Sequence, residues 1–216
     1  MFNLLMVIEC AQDADRLAAQ LAEAGAALPG AVNSSAGRTL PRAIAGGSLM
    51  WRLVFESEED HWAARTSDGW RKRIDALIAG EGAAVLDTIA YRTSLSDASA
   101  GRKAPGIWRC LVLSVEAGTP AETIRQFERD TALMPQHVST IRNWSMGHAV
   151  SGQGRRSWTH VWEQEFDDVA GLEGEYMTHP IHWGLVDGWF DPECPQRIVD
   201  PFLIHAAFEI GEAVIL

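Results

Sequence analysis

The chain opens on an apolar run, FNLLMVIE (residues 2–9), and continues into a stretch where Leu17, Leu21 and Leu28 recur with alanines between them. The first pattern predicts a strand; the second predicts a helix over 13–28 with a single apolar face. A Pro29-Gly30 turn and a short strand near 31–40 come next. The strand LMWRLVFES (49–57), a helix near 59–79 and the strand AAVLDTIAYR (83–92) complete the first half. The order is βαββαβ.

The second half repeats that order. WRCLVLSVE (108–116) is a strand, TPAETIRQFERDTAL (119–133) a helix, Met134-Pro135 a turn, and HVSTIRNWSMG (137–147) and SWTHVWEQEF (157–166) are strands. The segment HPIHWGLVDGWF and the strand FLIHAAFEI (202–210) follow. Thr119 reads as an N-cap, Pro120 as the first helical residue and Glu122 as the far side of a capping box. Between the halves lies TSLSDASAGRKAPG, whose Ser, Ala, Gly and Pro content suits a surface linker. The expected organisation is a first repeat at 1–92, a linker at 93–106 and a second repeat at 107–216. Each repeat is a ferredoxin-like split βαβ unit with helices on one sheet face and nothing on the other. Two such units in one chain bury their bare faces together, so the expected fold is α+β, two ferredoxin-like βαββαβ repeats packed sheet to sheet as an intrachain barrel.

A formal charge of −11 argues against nucleic acid or an anionic membrane as partner, since both are bound through Lys and Arg. The amino-terminal run carries no basic residues ahead of it and stops at Glu9, so it reads as a strand rather than a signal peptide. No stretch approaches the ~20 apolar residues of a membrane span. Cys10, Cys110 and Cys194 form no C-x-x-C pair, which points away from a disulfide framework or a thiolate zinc site and toward a reduced, cytoplasmic protein. Cys194, in the turn-like DPECP, is either a structural cysteine or a reactive thiol.

The histidines break the symmetry between the halves. His137, His148, His160, His179, His182 and His205 lie in the second repeat and only His61 in the first. Opposite YMTHPIHWGLVD the first repeat has HWAARTSDGWRKRID, with Trp62, Arg65 and Trp70 in place of the histidine motif. The first repeat is therefore expected to be scaffold and lid, the second to carry any chemistry. Within EYMTHPIHWGLVDGWF, proline disfavours helix in the residue before it and suits a helix's first position. Thr178 and His179 should end one segment, and Pro180 should open a helix that ends near Asp191-Pro192. His182 then falls in its first turn, where the positive end of the helix dipole favours a neutral imidazole able to accept a proton. Tyr176, one turn earlier, offers a hydroxyl to a carbonyl or a developing enolate. In SWTHVWEQEF the period of two places His160 on one face with Trp158 and Trp162, a lining suited to an aromatic or polyketide-like ligand. His179 and Trp183 join Trp158 and Trp162 as expected substrate contacts. The plainer alternatives are core roles for His160 and the tryptophans and a purely structural Pro180. A metal site of His160, His179 and His182 lacks an acidic partner fixed by spacing, so no metal is expected.

The text Thr159-His160-x-x-Glu163-x-x-Phe166, then Tyr176-x-x-His179-Pro180-x-His182 with Gly184 and Asp187, resembles the stress-responsive dimeric α/β-barrel (Dabb) family. The specific match lies within 159–187, and the repeat pattern extends the likeness across the chain. The resemblance implies an intrachain dimeric α/β barrel and a cyclase-like activity without a cofactor. It also implies His182 as general base, Tyr176 as its partner on the substrate carbonyl, and His160 as a pocket residue that orients the substrate, with His179 structural. Many members open the first strand with a pocket-facing histidine; here the corresponding stretches are Phe2-Asn3-Leu4 and Trp108-Arg109-Cys110. The expected function is a cofactor-independent lyase, cyclase or isomerase acting on a small aromatic or polyketide-like carbonyl compound. The alternatives are a stress-responsive protein that binds a hydrophobic ligand, and an oxygenase, cofactor-free or haem-dependent, on the same kind of barrel. RNA binding is disfavoured by the net charge and by the lack of an aromatic and basic RNP strand. A homodimer of the two-repeat chain is a further expectation.

Overall fold

The computed structural model describes residues 1–98 and 106–215. The first half contains β1 (Phe2–Glu9), α1 (Ala14–Ala26), β2 (Ala31–Arg38), β3 (Leu49–Phe55) and α2 (Glu58–Thr66). A π-helical turn (Trp70–Asp75) then runs into α3 (Ala76–Gly80) and β4 (Ala84–Asp97). The second half contains β5 (Ile107–Leu113), α4 (Ala121–Ala132), the single turn α5 (Met134–His137), β6 (Ile141–Gly154) and β7 (His160–Phe166). Short helical turns between residues 169 and 189 lead to β8 (Ile204–Glu209).

The eight strands make one antiparallel sheet in the order β2-β3-β1-β4-β6-β7-β5-β8. In each half the two inner strands, β1 and β3 or β5 and β7, are buried almost end to end. That burial follows from being covered on both sides, and it explains why β1 reads as an unbroken apolar run instead of alternating. Phe2, Leu4, Met6 and Ile8 pack under Leu17 and Leu21 of α1. Leu5 and Val7 face the other way, against Trp108, Cys110 and Val112 of the second half. The bare faces of the two units thus become the lumen of a barrel, as the sequence led us to expect.

Strands β4 and β6 stitch the halves together, from Asp87 opposite Gly154 to Asp97 opposite Trp144. Residues 93–97 of the expected linker are therefore strand, and residues 99–105 of it lie outside the described residues. At the far edge the segment after β2 meets β8. Leu40 N donates to Ala207 O at 2.9 Å, and Ile44 and His205 exchange backbone hydrogen bonds of 2.8 and 3.0 Å. The backbone at Gly37 approaches so closely that a Cβ there would sit 2.4 Å from Phe208. The sheet closes almost completely.

The lumen holds a polar cluster as well as apolar side chains. Arg52, 2% exposed, donates through Nε to Glu163 Oε1 at 2.5 Å and through Nη2 to Oε2 at 3.2 Å. Trp108 Nε1 and Ser145 Oγ donate to the same carboxylate, at 3.1 and 2.7 Å. Arg52 Nη1 reaches Val214 O at 2.8 Å, while Glu165 Oε1 accepts from the amides of Val214 and Ile215. A desolvated ion pair survives only where its remaining donors and acceptors are also satisfied, and here they bind the first half, the second half and the 213–215 segment together.

Three local expectations are corrected. Pro120, not Thr119, takes the N-cap position of α4, and no side chain caps it. Thr119 Oγ1 donates instead to Glu116 O, and Glu122 pairs with Arg125 and Arg129, so the carboxylate needed for a capping box is already engaged. Met134-Pro135 begins a helical turn rather than a loop, which suits a proline whose missing N–H costs nothing there. The helix expected near 59–79 is interrupted at Ser67, whose extended backbone ends α2 and whose Oγ accepts from Trp70 N at 3.0 Å. Among the described residues no helix is long and apolar enough to cross a membrane.

Candidate functional site

The chain breaks at His179, where the sequence places the break. His179 N donates to Glu175 O at 2.9 Å and closes one helical segment, Pro180 enters the next, and His182 N donates back to His179 O at 2.9 Å. The His179 side chain caps the new segment, its Nδ1 accepting from Ile181 N at 3.2 Å. Tyr176 lies in the π-helical turn Leu172–Tyr176 before the break and His182 begins the turn after it. Their rings meet edge to face at 5.0 Å. Tyr176 is 2% exposed and packs on Phe166, and its hydroxyl hydrogen-bonds no other described residue.

Both rings border a cavity of about 260 Å³ between these turns and the outer face of the second half of the sheet. Leu111, Met134, Val186 and Phe190 supply apolar walls, while Arg109, Trp162 and His205 stand on the strands. Arg109 is buried, with its Cζ 5.2 Å from the Tyr176 ring centroid. Its Nη1 donates to Gln164 Oε1 at 2.7 Å and its Nε to His205 Nε2 at 3.1 Å. The guanidinium charge, then burial, then His182 push the His205 pKa down to about 3, so this imidazole stays neutral and Nε2 keeps the lone pair that Arg109 uses. His182 Nδ1 faces Asp187 Oδ1 at 3.4 Å. Trp162 Nε1 and Gln164 Nε2 are buried donors without a partner among the described residues.

The first half contributes Ile44 to the cavity. Ile44, Met177 and His205 are shared with an adjoining cavity of about 540 Å³ under Leu40, Pro41 and Ala43. Arg42 and Ala45 in this segment hold φ of 71° and 55°, uncommon for residues with a Cβ, and Arg42 reaches Glu173 at 3.2 Å.

Of the residues singled out from sequence, Tyr176, His182 and Trp162 line the cavity. The others stand elsewhere. Strand β7 begins only at His160, so the period of two does not extend back to Trp158. Trp158 points into the lumen core with Val161, lies 6.0 Å from Phe202 and donates to Asp87 Oδ1 at 3.0 Å. His160 shares the outer face with Trp162 but lies beside Phe127, Glu128 and His148, away from Tyr176 and His182. His179 is the cap and packs near His137; Trp183 is 63% exposed and donates to Thr178 O at 3.3 Å. The set His160, His179 and His182 is not gathered for a metal among the described residues. Arg109, Gln164 and His205 were missed. Their signal was a polar residue inside an apolar strand, and Arg109 occupies the stretch where the resemblance called for a pocket-facing histidine.

Residues 107–201 match the family model described as the Stress responsive A/B Barrel Domain (Dabb). No curated protein matches the sequence. Among solved structures the chain is similar to an anthrone oxidase-like protein, at 12% identity over 97% of this chain and 90% of that one, with a TM-score of 0.67. It is also similar to a monooxygenase candidate from Lactobacillus acidophilus NCFM, at 10% identity over 100% and 98% of the two chains, TM-score 0.59. A candidate chlorite dismutase matches at 11% identity over 97% and 94%, TM-score 0.58. At such identities the likeness is one of fold, and it extends over the whole barrel.

Proposed function

Because residues 107–201 match the Stress responsive A/B Barrel Domain model, we propose that this protein is a cofactor-independent acid–base catalyst, a lyase, cyclase or isomerase, acting on a small aromatic or polyketide-like carbonyl compound. The observation that carries this reading is the meeting of His182, Tyr176 and Arg109 around one cavity, the two rings 5.0 Å apart and the guanidinium 5.2 Å from the phenol ring. His182 removes a proton α to the carbonyl. Tyr176 donates a hydrogen bond to the enolate oxygen as charge develops, and Arg109 lowers the energy of that charge. Asp187 steadies the imidazolium that His182 becomes. Apolar walls keep water from the reacting carbon.

A positioned base is typically worth ~10²–10⁴ in rate. His182→Ala should therefore lower turnover, or deuterium exchange from solvent into bound ketones, by that much with the circular dichroism spectrum unchanged. Exchange that persists in the variant would sink the assignment. A second reading, non-enzymatic capture of a hydrophobic ligand, is favoured by the apolar cavity of about 540 Å³ that adjoins the site. Ligand binding with no exchange into any carbonyl compound would select it, and oxygen uptake would select the oxygenase alternative.

A further inference from the structure

A second cluster of titratable side chains lies on the far side of Phe127 from the Tyr176 cavity. Phe127 stands edge-on to His160 at 5.8 Å and packs on Phe190, a cavity wall, at 6.0 Å. His148 of β6 and His160 of β7 are direct cross-strand partners, and Glu128 reaches down from α4. Glu128 Oε1 lies 2.6 Å from His148 Nε2 and 3.3 Å from His160 Nε2, and the three ligand atoms fall within 4.8 Å of one another.

We propose that Glu128, His148 and His160 bind one divalent first-row transition metal ion, with zinc the best fit. Two imidazoles and one carboxylate are a ligand set that zinc takes at ~2.0–2.2 Å, which sets donor-to-donor edges of ~3.3 Å in a tetrahedron. The His160 edge already has that length, and His148, half exposed, is free to swing to it. The imidazole of His160 is held for the task at its other nitrogen. Nδ1 lies 2.8 Å from Thr159 Oγ1, which accepts from Val115 N at 2.9 Å and can donate to Leu113 O at 3.3 Å. With Nδ1–H donating to the hydroxyl, Nε2 presents its lone pair beside the carboxylate, the tautomer a metal requires. Arg92, the cross-strand neighbour of His148 on β4, is engaged by Glu58 at 2.7 Å. Three protein ligands leave the fourth position of a tetrahedron for water, on the solvent side of His148.

Protein stripped with EDTA and dialysed against micromolar zinc should retain one zinc per chain, and cobalt in its place should give visible absorption of a tetrahedral site. Glu128→Gln and His148→Gln, both at partly exposed positions, should each raise the zinc dissociation constant at least tenfold in chelator competition. Thr159→Val should raise it about tenfold by freeing Nδ1 of His160. His137→Gln, which alters an exposed histidine elsewhere on the same half, should leave it unchanged. Wild-type protein that retains no zinc, or zinc binding that survives in Glu128→Gln and His148→Gln alike, would overturn the proposal. Equal loss in His137→Gln would do the same by showing nonspecific surface binding.

Discussion

Arg109 donates from Nε to Nε2 of His205 across 3.1 Å, a permanent cation bonded to an imidazole that its own charge keeps neutral. The pair fixes two things in the candidate site. The guanidinium cannot swing away from the Tyr176 ring, and His205 cannot compete with His182 by carrying a second positive charge.

Replacing Arg109 by Met should therefore leave the barrel folded, lower turnover by about 10²–10³ as expected for loss of one transition-state donor, and let the His205 pKa rise from about 3 toward its ordinary value. An NMR titration of the His205 ring reads the second effect independently of activity. Arg109→Lys should restore part of the rate, because the charge returns without the fork that binds Gln164 and His205 together.

Acid should destabilise the protein well above the range where carboxylates titrate. Burial, followed by the charge of Arg65, lowers the His61 pKa to about 4, and Arg109 lowers that of His205 to about 3. The unfolded chain, with histidines near 6.5, binds more protons over that interval, so stability is complete above about pH 6.5, falls as pH drops below it, and levels off on their account near pH 4 for His61 and pH 3 for His205. Each histidine contributes at most about a tenfold change in the folding equilibrium per pH unit. Both nitrogens of His61 are buried beside Phe2, Phe55 and Trp62 and have no partner among the described residues. His61→Leu should thus flatten the pH dependence of urea midpoints between pH 7 and 5, and an unchanged slope would count against it.

The lumen ion pair should behave as a unit. Glu163→Ala leaves Arg52 charged and buried, a defect of about 3–5 kcal/mol, whereas the double replacement Arg52→Met with Glu163→Leu should cost less than either single change. Urea denaturation of the three variants tests this. A double variant worse than both singles would show that the lumen needs the charges themselves.

His179 should prove structural. His179→Ala should cost about 0.5–2 kcal/mol through the lost cap on Ile181 N, and His179→Asn, itself a good capping residue, should recover most of it. Turnover at saturating substrate should change far less than in His182→Ala. If His179→Asn recovers stability while turnover still falls as in His182→Ala, the ring of His179 has a chemical role as well.

The parts of this molecule that were legible in the sequence are those set by local pattern. Two-sided burial leaves a run such as FNLLMVIE, and Pro180 announces a chain break that the backbone hydrogen bonds of His179 and His182 confirm. What escaped depends on partners distant in sequence. Glu163 and Glu165 are carboxylates in a strand whose spacing names no partner for them, yet both are fully buried, because Arg52 and the amides of 214 and 215 meet them in the lumen. Trp158 was assigned to the wrong side because the strand it was counted on starts two residues later. His205 and Arg109 come together only through the pairing of β5 with β8, which no spacing within either strand reveals.

Each half places a π-helical turn in its second crossover, Trp70–Asp75 and Leu172–Tyr176. In the first, Trp70 lies 5.6 Å from Trp51 with Arg65 laid over it; in the second, Tyr176 meets His182 and borders the cavity of about 260 Å³. A barrel made from two identical chains would have to carry every change twice, once on each side of its axis. Joining the halves in one chain removes that obligation. One copy can specialise as ballast and the other as workplace, so saturation with ligand should end at a single equivalent per barrel.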